Sequence, residues 1–395
     1  MDTTSPSSYP IPRTCPMDPA PDYHRLREQP ITKATLDFDG NEVWLVTRHA
    51  DACAVLADPR FSSDFSREGF PARMTVRPPG PGTFIRMDPP DHGRLRRTIV
   101  GEFRLKRLER LRPAIQGIVD GLIDEMLAAG TSADLVRVLA LPLPTLVICE
   151  LLGVPYQDRE FFQRCTQVIG DQQAPPARRE VVRNELRGYL DRLVTSKRQE
   201  PADDLLSRAA ARMAEDGIDH DELVGIATLL MIAGFETIAN QIGIGTLTLL
   251  QHPEQLAALR ADPDLVPAAV EELLRHQTVI DYGLRRAALE DVEVGGRTIK
   301  AGEGVVVVLS SANRDESVFS DPDRLDLTRA GNEHLAFGFG LHQCLGQLLA
   351  RLQLQVLWST LFTRVPTLRL AVPLTEVPFR TDMFVHGVHA LPATW

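Results

Sequence analysis

The stretch HLAFGFGLHQCLGQLLAR, residues 334–351, constrains this chain most. Gly338 and Gly340 precede a cysteine, Cys344, and Gly346 opens an apolar segment. Glycine adopts backbone conformations closed to other residues, so the turn before Cys344 can be tight. A sulfur at the start of a helix meets free N–H groups and the positive end of the helix dipole. Both stabilise a thiolate over a thiol. Gly346 carries no side chain and leaves room for something flat to approach the helix.

Three readings of Cys344 compete. As a nucleophile it needs a base oriented by a third group. His342 is near, but no Asn or Asp partner can be picked out. As a buried thiol, the default for a lone cysteine, it would be inert. As a thiolate it could be the axial ligand of haem iron. The glycine spacing favours the third reading.

The other four cysteines, Cys15, Cys53, Cys149 and Cys165, are scattered. An odd count without a CxxC pair argues against disulfides and a structural zinc site. The N-terminus lacks the basic start and apolar stretch of a signal peptide. The longest apolar run, residues 223–235, is too short to span a bilayer. A cytoplasmic protein without a membrane anchor is expected. Net charge is −10, which argues against a broad nucleic-acid surface.

Apolar spacing of three and four residues predicts helices near 104–129, 158–171, 177–199, 221–250, 264–276 and 343–361. Short strands are expected at 42–48, 291–313 and 384–391, with VGGRTIKAG as a hairpin tip. The Pro/Gly-rich segment 70–84 reads as a long functional loop. The fold class is mainly α with a small β-rich region. One intertwined domain is expected over 1–395. It has an extended segment over 1–30 and β-rich parts near 31–60, 279–313 and 366–395.

FGFGLHQCLG resembles the F-x-x-G-x-x-x-C-x-G haem loop of the cytochrome P450 family, through Phe337, Gly340, Cys344 and Gly346. Four further segments agree in order. MIAGFETIANQ resembles the oxygen-binding part of the family's long central helix, with small Ala233 against the haem and Glu236 and Thr237 as a proton-relaying acid–alcohol pair. EELLRH supplies an E-x-x-R pair, Glu272 and Arg275, which a third arginine joins downstream. Arg324 in DPDRLD is assigned that place, with Leu325 where Phe is usual. MDPPDHGRLRR and LRRAALED imply haem-propionate partners in His92, Arg96 and Arg286, with His342 as a fourth. Arg285 would take the role of Arg286 after a one-place slip. Arg94, Arg97 and Arg104 are expected to face solvent as a basic patch.

The resemblance implies the triangular-prism P450 fold and haem b on an axial Cys344 thiolate, lined by Phe337, Gly338, Gly346 and Ala233. It implies a monooxygenase that puts one atom of O2 into a lipophilic natural product, as a hydroxyl or an epoxide. Electrons would come from a ferredoxin and an NAD(P)H-dependent reductase, and the enzyme would be monomeric. The pocket is expected among Met74, Phe235, Val279, Ile280, Met383, Phe384 and Val385, with Asp281, Arg73 and His386 steering polar ends. The chain is similar in style to actinomycete enzymes that tailor macrolide and polyketide antibiotics. A terpenoid hydroxylase is the alternative. A peroxide-driven or rearranging haem-thiolate enzyme and a non-enzymatic haem carrier or sensor are rival classes.

Overall fold

The computed structural model describes residues 8–72, 80–170, 174–380 and 385–395. Helices dominate, and they surround one long central helix, His220–Gln251. Its start is set by a reciprocal cap. Glu222 N donates to the Asp219 carboxylate at 2.8 Å, and the Glu222 carboxylate accepts from Asp219 N at 3.0 Å. Beyond this polar first turn the helix is apolar nearly all round, and a helix of that kind is stable only inside a core. By length and composition it could cross a bilayer. Here it is wrapped instead by helices Pro142–Leu152 and Pro176–Gln199. The apolar run from 223 is thus part of a longer helix than its uninterrupted hydrophobic stretch suggests.

The expected helices form within a few residues of their predicted bounds, except that 104–129 divides into Leu105–Leu108, a 3-10 turn Glu109–Leu111 and Arg112–Ala129. Pro142 and Pro144 do not break the segment around them. They lie in the first turn of Pro142–Leu152, where a missing N–H costs nothing.

The principal sheet joins strands from residues 31–62 to strands from residues 284–307. Its strand order is Ile31–Thr35, Glu42–Val46, Gly304–Val307, Leu284–Ala288 and Phe61–Ser62. Only the pairing of Glu42–Val46 with Gly304–Val307 is parallel. Val292–Val294 and Arg297–Ile299 form the expected hairpin, with Gly295 and Gly296 at positive φ. Near the C-terminus the outcome differs. The described part of 384–391 makes isolated bridges, Ile280 to Val385 and Phe379 to Val388, and the strand there is Pro392–Thr394.

The helix that follows Cys344, Gln347–Arg364, packs against the central helix at Trp358. A Cβ on Gly245 would lie 2.5 Å from the Trp358 ring, and the indole N–H donates to Thr246 Oγ1 at 3.1 Å. This close crossing fixes the cysteine loop relative to the central helix.

Candidate active site

The turn before Cys344 is as tight as its glycines allow. Gly338 and Gly340 have φ of 69° and 70°. A Cβ on Gly340 would stand 2.5 Å from the carbonyl oxygen of Leu56, so this position tolerates no side chain. Cys344 N donates to Phe337 O at 2.9 Å and closes the loop. Cys344 is exposed, although protein packs densely around its side chain. Burial pushes its thiol pKa up, against the Gly346 N–H and the charges of Arg96 and Arg351, which pull it down. Cys149 and Cys165 are buried and their pKa values are pushed to about 12 and about 11, so both are inert thiols.

Between Leu223 and Leu249 the central helix is buried except at Thr228, Leu229, Ile232, Ala233, Gly234, Glu236 and Thr237. Four-residue spacing puts Leu229, Ala233 and Thr237 in one row, with Thr228, Ile232 and Glu236 in the row beside it, on one uncovered face. The Thr237 hydroxyl donates to Ala233 O at 3.1 Å, which leaves its oxygen free to accept. The helix runs unbroken through this segment.

Two arginines, Arg96 and Arg286, and two histidines, His92 and His342, lie beside the loop. The His92 and His342 rings are 4.2 Å apart, and both nitrogens of His92 and Nδ1 of His342 are buried without a partner. Burial and Arg96 push the His92 pKa down to about 4. Burial, Arg286, His92 and Arg96 push that of His342 to about 3. Arg286 is buried on the inner face of its strand, and that burial lowers its pKa to about 10. Arg285 turns the other way, to Pro71 O at 3.0 Å and the Phe38 ring. The strand pleat therefore turns Arg286 inward and Arg285 outward. Orphaned buried donors of this kind call for a bound anion. Two carboxylates beside a thiolate-accessible cleft fit the set. Among the described residues no three His, Cys, Asp or Glu side chains converge on a metal. Cys344 alone would then hold an iron that a macrocycle brings.

Behind the loop lies a buried clamp. Arg275 donates to both oxygens of Glu272 at 2.7 and 2.8 Å. The third arginine is Arg329, whose Nε reaches Glu272 at 3.1 Å. This corrects the assignment to Arg324, whose side chain is exposed and whose carbonyl alone accepts from Arg275. Leu325 and Leu327 take the buried positions beside it and turn Arg324 outward. Arg275 also donates to Asn313 O, and Asn313 Oδ1 accepts from Leu335 N at 2.7 Å, which ties the clamp to the start of the loop. A second network escaped the sequence reading. Arg351 grips Glu271 at 2.7 and 2.8 Å and lies 4.6 Å over the Phe337 ring. His334 donates to, or is paired with, the same carboxylate at 3.1 Å. His334 and Arg351 lie 63 and 80 residues from Glu271, so their spacing carries no local signal.

The cytochrome P450 family model matches residues 17–365. The chain belongs to the cytochrome P450 family. It is 51% identical over 386 residues to cytochrome P450-SU2 of Streptomyces griseolus, covering 96% of this chain and 94% of the relative. It is 49% identical to pentalenic acid synthase of Streptomyces avermitilis, over 99% and 98% of the two chains. Among solved structures it superposes on the mycinamicin VIII hydroxylase MycCI of Micromonospora griseorubida with a TM-score of 0.90. Identity to that hydroxylase is 42%, and coverage is 99% and 100%.

The chain is therefore a haem-thiolate monooxygenase of P450 type, using haem b, a cysteine ligand and O2. P450 enzymes of this bacterial kind draw electrons from redox partners. Several expected site residues need correction. Phe235 is 1% exposed and sits two residues from Ala233, about 200° round the helix, so it turns away from the uncovered face. Asp281 holds Arg13 at 3.2 and 3.3 Å and anchors the N-terminal segment, so it is not free to steer a substrate. Arg94 does not face solvent as part of a basic patch. It pairs with Glu222 at 2.6 and 2.9 Å. Val279 and Val385 are buried and Ile280 half-buried around the Ile280–Val385 bridge. Arg73, Met74, Met383 and Phe384 lie outside the described residues.

Proposed function

We propose that this enzyme oxidises a bulky lipophilic natural product, a macrolide or related polyketide, by hydroxylation or epoxidation. The observation that carries the reading is the uncovered face of the central helix around Leu229, Ile232, Ala233 and Thr237, on a helix buried along its other side. Its small and apolar residues suit a large apolar guest, with Val279, Ile280 and Val385 as further walls. Phe337, Gly338 and Gly346 would border the cofactor on the cysteine side. His92, Arg96, Arg286 and His342 would hold its two carboxylates. Bound there, the haem supplies oxygen activation, with one oxygen atom going to substrate and the other to water. The protein's part is to place the substrate, exclude bulk water and deliver two protons. Glu236 and Thr237 are assigned the last task, the acid taking protons and the hydroxyl passing them on.

A terpenoid is the second reading, favoured by the higher identity to pentalenic acid synthase than to the mycinamicin enzyme. Electrons would arrive from a ferredoxin and its NAD(P)H-dependent reductase in the cytoplasm. Exposed Arg97, Arg104, Lys106 and Arg110 form a basic surface suited to an acidic donor. We take the chain to act as a monomer and as one folded unit over 1–395.

A spectral binding screen against macrolide and terpenoid panels tests the substrate class. Expected is a shift of iron spin state with members of the macrolide panel, and an oxygenated product with ferredoxin, reductase and NAD(P)H. Response to terpenoids alone would select the second reading. No response from any compound, or product with peroxide only, would overturn both.

A further inference from the structure

Residues 9–20 run as a strap against the loop that follows helix Val266–His276. Tyr9 N donates to Thr35 O at 2.8 Å, which ties one end to the principal sheet. Met17 is buried in the main core, and its carbonyl accepts from the buried Gln277 side chain at 3.1 Å, which ties the other end. Between these anchors Arg13 grips Asp281. Its Nε donates to the two carboxylate oxygens at 3.2 and 3.3 Å, and its Nη2 donates to Oδ1 at 2.5 Å. Arg13 Nη1 donates to Asp18 O at 2.7 Å, so the strap itself holds the guanidinium in place. The two side chains are 12% and 23% exposed. An ion pair so little exposed is screened by salt less than one at the surface.

Beneath the strap two short segments pair. Ile280 bridges Val385, and His386 N donates to Val279 O at 2.7 Å. Residues opposite one another in such a pair share a face, so Ile280 and Val385 point the same way. Successive side chains alternate, so His386 points the other way, toward the strap. There it is 1% exposed, and it faces the charges of Arg13 and Asp281 and the Pro16 carbonyl. Burial and Arg13 push its pKa down to about 3, against the pull of Asp281 and Pro16. His386 is therefore neutral at pH 7 and does not compete with Arg13 for the Asp281 carboxylate.

We propose that the strap is the outer support of the substrate wall, and that Arg13 is a positioning residue that sets how well a bulky, rigid lipophile fits. The proposal rests on the assignment of Ile280 and Val385 to that wall. Residues 277–283 lie between a helix and a strand and have no regular structure of their own. Their position therefore depends on contacts from outside. The Arg13–Asp281 pair fixes the 279–281 segment from behind, and the bridge carries that position to Val385. A displacement of about 1 Å in a positioning element is enough to cost a reaction much of its rate. A large substrate that touches both Ile280 and Val385 senses such a displacement. A ligand small enough to reach the iron without touching the wall does not. The strap thus acts on recognition and leaves the cofactor as it is.

The test titrates holoenzyme variants with two probes, imidazole and the panel compound that gives the largest spin-state shift. Arg13→Met should raise the dissociation constant of the panel compound about tenfold, the weight of one charged hydrogen bond. Imidazole, which ligates iron without reaching the wall, should bind as it does to the parent. Asp281→Asn should match Arg13→Met, and the double variant should bind no more weakly than either. Arg13→Lys should recover part of the affinity. Ile280→Ala reads the wall alone. If Ile280→Ala alters the panel titration and Arg13→Met does not, the wall stands and the role of the strap is wrong. If Ile280→Ala itself leaves that titration unchanged, the wall assignment is wrong and the proposal falls with it. Equal losses of imidazole and panel compound in Arg13→Met would show a general loosening of the fold and overturn the positioning role. A double variant whose loss is the sum of the two single losses would overturn it as well.

Discussion

Arg275 and Glu272 face each other as a two-point ion pair at 2.7 and 2.8 Å, with no solvent exposure on either side chain. Two charges at such a depth are stable only when every neighbour is satisfied. Glu272 also accepts from Arg329, Asn332 and Asp326 N, and Arg275 donates to three backbone carbonyls. The pair is a joint between the helix Val266–His276 and the chain leading to the cysteine loop.

Removing one member leaves buried charge behind. Glu272→Ala should cost about 3–5 kcal/mol of stability. Arg329→Ala should cost about 1–3 kcal/mol, since Glu272 loses one charged donor. Arg324→Ala should stay within about 0.5 kcal/mol, as an exposed substitution does. Denaturant midpoints measure the three. Equal losses for Arg324→Ala and Arg329→Ala would contradict the geometry.

Cys344→His exchanges the sulfur for a nitrogen while keeping a metal ligand. The red-shifted Soret band of the reduced carbon monoxide complex should disappear, because that band needs thiolate ligation. Its persistence would rule out Cys344 as the ligand.

Gly340 and Gly346 should respond differently to alanine. Gly340→Ala meets a positive φ, a penalty of about 1–2 kcal/mol, and then the Leu56 carbonyl at 2.5 Å. Both the melting temperature and the haem content should fall. Gly346 has φ of −80°, and its nearest obstacle is Cys344 Sγ at 4.0 Å. Gly346→Ala should leave the haem-free protein as stable as the parent and lower only haem retention, followed by Soret absorbance. Unaltered retention would remove the argument that a flat group lies on this glycine.

Acid should loosen the second clamp. Burial alone would raise the Glu271 pKa, but hydrogen bonds from His334 and Arg351 outweigh it and bring it to about 2. A carboxylate depressed in the folded state stabilises above its unfolded pKa. That stability is lost as pH falls from the unfolded value, near 4.5, through about 2. At neutral pH the contribution is about 2–3 kcal/mol. Glu271→Gln should therefore be less stable than the parent at pH 7, and the gap should close on acidification below pH 4. A gap that stays constant from pH 7 to pH 2 would show that Glu271 does not act through its charge.

The difference between the two faces of the Leu284–Ala288 strand shows how far local reading reaches. Alternation says that one of Arg285 and Arg286 points inward, but not which. Pairing of Arg286 with Val305 decides it, because register is set by the partner strand. The helices were legible because burial on one face repeats every three or four residues, a signal carried within the segment. The cysteine turn was legible because its glycine positions obey backbone sterics that involve few neighbours.

What depended on distance in sequence was not legible. Arg329 lies 57 residues from Glu272, Arg94 lies 128 from Glu222, and Arg380 lies 144 from Glu236. A charged side chain finds its partner after the chain has packed, and spacing along the sequence does not encode which arginine arrives. By itself the sequence determined the helical pattern, the thiolate turn and the small face of the central helix, because each follows from forces acting within a few residues. Tertiary structure decided which arginine closes the Glu272 clamp, which face Phe235 takes and what holds Glu236, because those depend on surfaces that exist only once distant segments exclude water together.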